Sequence, residues 1–172
     1  MHTTHLHHRT MISLMESMFT DDGDKCMSDL SDLISMIDGV DRYTFDFDVP
    51  IEHVRNANGI GYAKTSRQQQ YYNHKRLETK RLLKEMGESI DWDRPPLTRC
   101  ISDVQVVNTT NQRFDPDNIQ LTYKAILDGM VSKGVMEDDN SHILLGTVFR
   151  EWIGRERTKG VYHLRVTLYD LS

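Results

Sequence analysis

Between residues 101 and 139 a strand, a turn and a helix follow one another, and this order leaves few folds open to the chain. The strand is indicated by a β-branched run, Ile101, Val104, Val106 and Val107. Residues 113–139 then read RFDPDNIQLTYKAILDGMVSKGVMEDD, in which apolar side chains recur at helical spacing. The buried stripe of this helix is predicted to comprise Ile119, Tyr123, Ile126, Leu127 and Met130. A helix must therefore pack against a sheet.

The helix has recognisable ends. Asp117 or Asn118 can cap its N-terminus, and Gly134 can end it. Polar groups therefore collect near the N-terminal end of the helix. After Gly134 the chain is expected to turn back into a strand, and because neighbouring strand residues point to opposite faces, only one of Asp138 and Asp139 should face the same way as the helix's polar groups.

The rest of the chain supplies further strands and helices. Residues 43–50 alternate, with Tyr43, Phe45, Phe47 and Val49 on one face and Asp46 and Asp48 on the other. Residues 67–87 lack helix breakers and predict a long polar helix ended by Gly87. We expect an α/β (α+β) fold, with a small mixed sheet packed with helices. Residues 43–172 would form this domain, and residues 1–42 a Met-rich, acidic, helical extension.

Composition excludes several classes of protein. No apolar run is long enough to cross a bilayer and no signal peptide is recognisable, which predicts a cytoplasmic protein. Cys26 and Cys100 stand far apart, so neither a zinc site nor a disulfide framework is indicated. The formal net charge of -5 is unevenly spread, because residues 55–84 hold eight bases and one acid. Together with a second basic stretch near residues 150–165, this distribution favours a nucleic-acid partner.

Asp115 and Asp117 are the first candidates for metal binding. In an extended or turn segment their side chains can converge, and Pro116 between them restricts the backbone. Two close carboxylates repel each other unless a cation lies between them, and oxygen ligands favour Mg²⁺ or Mn²⁺. The segment could also be an ordinary turn and helix cap, and Glu-Asp-Asp a solvated turn. An EF-hand is disfavoured, and a sugar-nucleotide transferase would need a longer chain.

The composite pattern resembles the RusA-type Holliday-junction resolvases over roughly residues 43–170. The matching residues are Asp115, Asp117, Asn118, Lys124, Asp128, Gly134, Asp138 and Asp139. The resemblance implies that Asp115, Asp117 and Asp139 bind Mg²⁺. It also implies a homodimer that nicks two opposed strands of a four-way DNA junction, with no small-molecule cofactor and no membrane partner.

Two departures from the family pattern concern basic residues. Lys124 follows Asp117 by seven positions and not by the family's four, a difference of about 60° around a helix, so Lys124 can still face the site. The family places a base directly before its first aspartate, whereas Phe114 stands there in this chain and Arg113 one position earlier. The predicted DNA-binding residues are Arg67, Lys75, Arg76, Lys80, Arg113, Arg155, Arg157 and Lys159. Alternatives are a non-catalytic or weakly catalytic binder of branched DNA and a nuclease that also cuts flaps or forks.

Overall fold

In the part of the chain that the structure describes, four strands and two helices form where the sequence alternates or repeats at helical spacing. The computed structural model describes residues 40–54, 65–109 and 114–172. The strands are β1 (Arg42–Pro50), β2 (Cys100–Val107), β3 (Leu144–Glu151) and β4 (Val161–Asp170). The helices are α1 (Ser66–Glu88) and α2 (Gln120–Lys133), and short 3-10 turns span Ile51–His53 and Pro116–Ile119.

The sheet is mixed, with strand order β1-β4-β2-β3. β4 pairs antiparallel with both β1 and β2, whereas β2 pairs parallel with β3. The parallel pair is the one joined through α2, as a strand–helix–strand unit requires. The predicted small α+β fold, a mixed sheet packed with helices, is confirmed.

The alternation predicted for β1 is also confirmed. Phe47 and Val49 are buried in the core that the sheet shares with the helices. On the other face, both Arg165 Nε and Nη2 donate to the Asp46 carboxylate at 2.8 Å. The period of two thus separates an apolar face from a face of paired polar side chains.

Helices α1 and α2 cross in backbone contact at two glycines. A Cβ added at Gly87 would lie 2.1 Å from the carbonyl oxygen of Ile126, and one added at Gly129 would lie 2.0 Å from that of Lys84. The helix continues through Gly87 to Glu88, so the prediction that Gly87 ends α1 is wrong. Gly87 is needed for the close approach and not for a left-handed cap. Gly134 does end α2, with φ at 86°.

The strand ends place several loops at one edge of the sheet. Pro50 at the end of β1 lies opposite Val161 at the start of β4. Val106 in β2 pairs with Glu151, the last residue of β3. The chain segments that follow β1, β2 and β3 all leave from this edge, which we call the loop edge. The segment after β2 leads to Asp115.

Some predictions concern residues outside the described part of the chain. These are the N-terminal extension up to residue 39, Arg113 and the side chain of Arg67. Among the helices that the structure describes, none has the length and apolar character to cross a membrane.

Candidate metal centre and DNA-binding surface

Asp115 and Asp117 are exposed at the start of the strand-to-helix turn. Asp115 is the N-cap residue of the 3-10 turn Pro116–Ile119, with Pro116 at its first position. Neither this turn nor α2 begins with a side-chain cap hydrogen bond, so the prediction that Asp117 or Asn118 caps the helix is wrong. The intervening 3-10 turn moves the start of α2 to Gln120. Neither helix start, in consequence, engages the Asp115 or Asp117 carboxylate.

Asp138 and Asp139 have different environments. Asp138 is exposed, and its carboxylate accepts hydrogen bonds of 2.8 Å from the backbone N–H of Asp139 and from the side-chain amide of Asn140. Asp139 has a side chain that is only 18% exposed. The segment is an irregular turn and not the predicted strand. Asp138 and Asp139 therefore differ because of these local hydrogen bonds, and not because strand residues alternate between two faces.

Lys124 links α2 to this turn. Its ammonium group contacts Oδ2 of Asp139 and lies 3.3 Å from Oδ1 of Asp128. Asp139 Oδ2 is buried and makes no hydrogen bond of regular geometry, so the Lys124 ammonium is the group that compensates its charge. The seven-residue spacing therefore lets Lys124 face the aspartate that follows the helix.

A second lysine extends the network. Lys80, on α1, places its ammonium 3.0 Å from Oδ2 of Asp128. Partial burial raises the pKa of Asp128, but the hydrogen bonds and charges of Lys80 and Lys124 outweigh that effect and hold the pKa below its usual range. Lys80, Asp128, Lys124 and Asp139 thus form one chain of alternating charges, which we call the lysine–aspartate network. Sequence reasoning assigned Lys80 only to DNA binding.

Within the described ranges, no three His, Cys, Asp or Glu side chains lie together in a group that could hold a metal ion. Asp115 and Asp117 follow the carboxyl end of β2, whereas Asp139 approaches β3 from its amino end. The donor set nevertheless suits a hard cation, because all three predicted ligands are carboxylates. In addition, Oδ2 of Asp139 is buried, and the Lys124 ammonium is the cationic group that it contacts.

The predicted basic residues occupy two surfaces. Lys75 and Arg76 are exposed on α1. Arg155, Arg157 and Lys159 are exposed in the segment between β3 and β4, at the loop edge. Arg157 is also held in place, since its guanidinium lies 3.3 Å from both the Asn108 side-chain oxygen and the Glu151 carboxylate. Exposed positive charge and the Asp115 segment therefore meet at the loop edge.

Aromatic side chains anchor the same region and were not predicted to do so. The guanidinium of Arg165 lies 4.2 Å and that of Arg155 5.4 Å from the Trp152 ring centroid. Phe114 packs edge-on against Tyr162, with 5.7 Å between the ring centroids. The second contact ties the residue before Asp115 to the start of β4. No periodicity signals the contact of Phe114 with Tyr162 or of Trp152 with Arg165, because the partners are far apart in the sequence.

Comparison of the chain with protein-family models and with curated proteins finds no match.

Proposed function

We propose that this chain is a Mg²⁺-dependent endodeoxyribonuclease that resolves four-way DNA junctions by paired nicks in opposed strands. The observation that carries the proposal is the contact between Lys124 and Asp139. It joins two parts of the composite motif, the helix lysine and the second aspartate of the Asp-Asp pair, despite the longer spacing between Asp117 and Lys124. The resemblance to RusA-type resolvases supplies the reaction class.

In this proposal Asp115, Asp117 and Asp139 would hold the metal ion. When bound, Mg²⁺ would activate water and offset negative charge on the phosphate. Lys124 carries a positive charge on the same side of α2 as Asp139 and would stabilise the charge that develops on the scissile phosphate. Asp128 is a positioning residue, since its carboxylate lies 3.3 Å from the Lys124 ammonium on the same helix. Lys80 acts one step further away, because its ammonium holds the Asp128 carboxylate from α1 at 3.0 Å.

The two basic surfaces would bind the DNA backbone. Lys75 and Arg76 on α1, and Arg155, Arg157 and Lys159 at the loop edge, would neutralise phosphates, with Arg67 and Arg113 as further candidates. Two coordinated nicks need two sites, so the active form would be a homodimer. Light scattering should find a dimer without DNA at micromolar concentration, and a monomer throughout that range would contradict this part.

The metal site is tested by single substitutions that remove charge and preserve shape. We expect Asp115→Asn, Asp117→Asn and Asp139→Asn to lower the rate of junction cleavage in Mg²⁺ by about a hundredfold or more. Junction affinity in EDTA should persist or increase, because each variant removes a negative charge near the DNA backbone. Both quantities can be measured on one labelled four-way junction.

Asp138→Asn is the matched control, because Asp138 is exposed and its carboxylate is engaged by the turn. It removes the same charge one residue away and should retain most of the cleavage. Wild-type rates in all three ligand variants would refute the metal site. Equal loss in Asp138→Asn would mean that the turn itself, and not a metal ligand, had been disturbed.

A second candidate, a non-catalytic binder of branched DNA, is favoured by the same network. The Lys124 ammonium already neutralises Asp139, and Lys80 and Lys124 neutralise Asp128, so these charges are compensated without a metal ion. Such a binder would select the junction in EDTA and leave it uncut in Mg²⁺ or Mn²⁺. The same assay therefore decides between the two functions.

A further inference from the structure

The segment between β3 and β4, residues 152–160, crosses the end of β2 at the loop edge. The crossing follows from the strand order, because β2 lies between β4 and β3. We call this segment the crossover loop. It lies over the end of the strand from which the chain leads to Asp115, so anything that contacts the loop approaches Asp115 and Asp117 from the same edge.

The two ends of the crossover loop are held by hydrogen bonds. The backbone N–H of Trp152 donates to the carbonyl oxygen of Val106 at 2.8 Å, and that of Ile51 donates to the carbonyl oxygen of Gly160 at 2.8 Å. The Thr158 hydroxyl lies 2.8 Å from Nε2 of the buried His163. The guanidinium of Arg165 lies over the Trp152 ring. The loop therefore has fixed ends and an anchored aromatic base.

Ile153 projects from this anchored base into solvent. It is 89% exposed, the highest fraction among the exposed large hydrophobic residues of the described ranges. Gly154 follows at a φ of 85°, a conformation that turns the chain sharply at the tip. A single exposed apolar side chain is ordinary by itself. This one stands on a braced loop whose remaining charges are three bases, Arg155, Arg157 and Lys159, against one acid, Glu156.

We propose, on the basis of the function proposed above, that the crossover loop recognises the branch point of the DNA, with Ile153 covering a base face there. In the open form that a four-way junction adopts without divalent cations, the base pairs that flank the branch lack a stacked neighbour on one side, so an apolar side chain can cover them without first opening a stacked step. In continuous duplex the same insertion costs the unstacking of a step. The basic side chains around Ile153 hold the phosphates on either side. The loop thus favours branched over linear DNA.

The test is a binding experiment in EDTA, where no cleavage occurs. The probes are a four-way junction with 2-aminopurine beside the branch point and a linear duplex of the same sequence. The wild-type protein should prefer the junction and change the 2-aminopurine fluorescence. Ile153→Ser should lower junction affinity about tenfold, leave duplex affinity unchanged and abolish the fluorescence change. Since Ile153 is exposed, the variant should keep the wild-type melting temperature.

Two controls accompany Ile153→Ser. Leu77→Ser changes another exposed apolar residue, 70% accessible on α1, and should keep both the preference and the fluorescence change. Lys159→Gln should weaken junction and duplex alike, because a phosphate contact carries no information about branching. Unchanged junction preference in Ile153→Ser, or an equal loss on both probes, would overturn the inference.

The outcome is separable from that of the proposed function. A wild-type protein that selects the junction but never cuts it in Mg²⁺ refutes the nuclease and leaves Ile153→Ser to decide on the loop. A wild-type protein with no preference for the junction over the duplex overturns the inference about the loop directly.

Discussion

At the scale of single residues, the proposed function depends most on the position of Lys124, which contacts Asp139. If its ammonium faces the scissile phosphate, Lys124→Ala should slow junction cleavage by about a hundredfold or more, because a preorganised charge is lost where negative charge develops. The substitution also leaves the buried Oδ2 of Asp139 without its cation, so the free energy of unfolding should fall by about 1 to 3 kcal/mol. Single-turnover cleavage and urea denaturation measure the two effects.

Lys133→Ala is the control for Lys124→Ala. Lys133 is an exposed lysine in the last turn of the same helix and belongs to no ion pair of the lysine–aspartate network. Its removal should leave the cleavage rate close to that of the wild type. Cleavage at the wild-type rate by the Lys124→Ala protein would show that the contact with Asp139 is only structural.

The sequence predicted the members of the candidate site better than their neighbours. The residue pattern named Lys124 and Asp139, and the structure brings them into contact. It could not connect Lys80 to Asp128, because 48 positions separate them and only the packing of α1 against α2 brings them together. Whether Asp115, Asp117 and Asp139 share one ion stays a prediction.

At the scale of helices and strands, the crossing of α1 and α2 depends on Gly129. Helix propensity alone predicts that Gly129→Ala stabilises the protein by about 1 kcal/mol. The added Cβ would lie 2.0 Å from the carbonyl oxygen of Lys84, so the helices must move apart. We expect a net loss of at least about 2 kcal/mol in the free energy of unfolding. Urea denaturation gives the sign directly.

Ser132→Ala is the matched control for Gly129→Ala. Ser132 is exposed on the same helix, and its hydroxyl donates to the carbonyl oxygen of Asp128 at 3.0 Å. Its replacement should change the free energy of unfolding by no more than about 0.5 kcal/mol. A stabilised Gly129→Ala protein would mean that the two helices do not cross in backbone contact.

Periodicity predicted the elements well where burial alone decides them. The stripe Ile119, Tyr123, Ile126, Leu127 and Met130 is buried throughout. Sequence pattern failed to predict the structure where a glycine or a polar side chain has more than one possible structural role. Gly87 was read as a helix end, although it serves a helix contact, and Asp117 as a cap, although a 3-10 turn precedes the helix. A single sequence does not distinguish these uses, because they depend on what packs opposite.

At the scale of the whole molecule, the acidic net charge conceals an uneven distribution. The chain carries a formal charge of -5 but collects bases on α1 and in the crossover loop. On the polar face of the sheet, the charges are instead paired: the buried Asp103 receives both Arg150 Nε at 2.8 Å and Nη2 at 2.6 Å. Lys80, Arg81 and Lys84 on α1 also pair with acids, which leaves Lys75 and Arg76 there, and Arg155 and Lys159 at the loop edge, as the described bases best suited to phosphate.

The free energy of unfolding should fall in acid. The hydrogen bond from Arg165 lowers the pKa of Asp46 below 3.8, and Lys80 and Lys124 together lower that of Asp128. A carboxyl whose pKa is lowered in the folded state stabilises the protein at pH values above the ordinary pKa of that carboxyl. This contribution is lost as the pH falls below about 4. Urea denaturation across this range should show a shallower loss for Asp46→Asn than for the wild type. Equal slopes would contradict the role of the Asp46–Arg165 pair.

The free energy of unfolding should also fall at high pH, for the opposite reason. Burial raises the pKa of Cys100 from 9.0 to about 12 and that of Tyr123 from 10.0 to about 12. A neutral group whose pKa is raised in the folded state makes its full contribution to stability at pH values below its ordinary pKa. The contribution is lost as the pH rises towards 12, because the group ionises first in the unfolded chain. Tyr123→Phe keeps the ring and removes one of the two ionisations, so its stability should decline less steeply between about pH 10 and 12. Urea denaturation at intervals across that range measures both proteins, and parallel curves would show that the Tyr123 hydroxyl ionises as readily in the folded protein as in the unfolded chain.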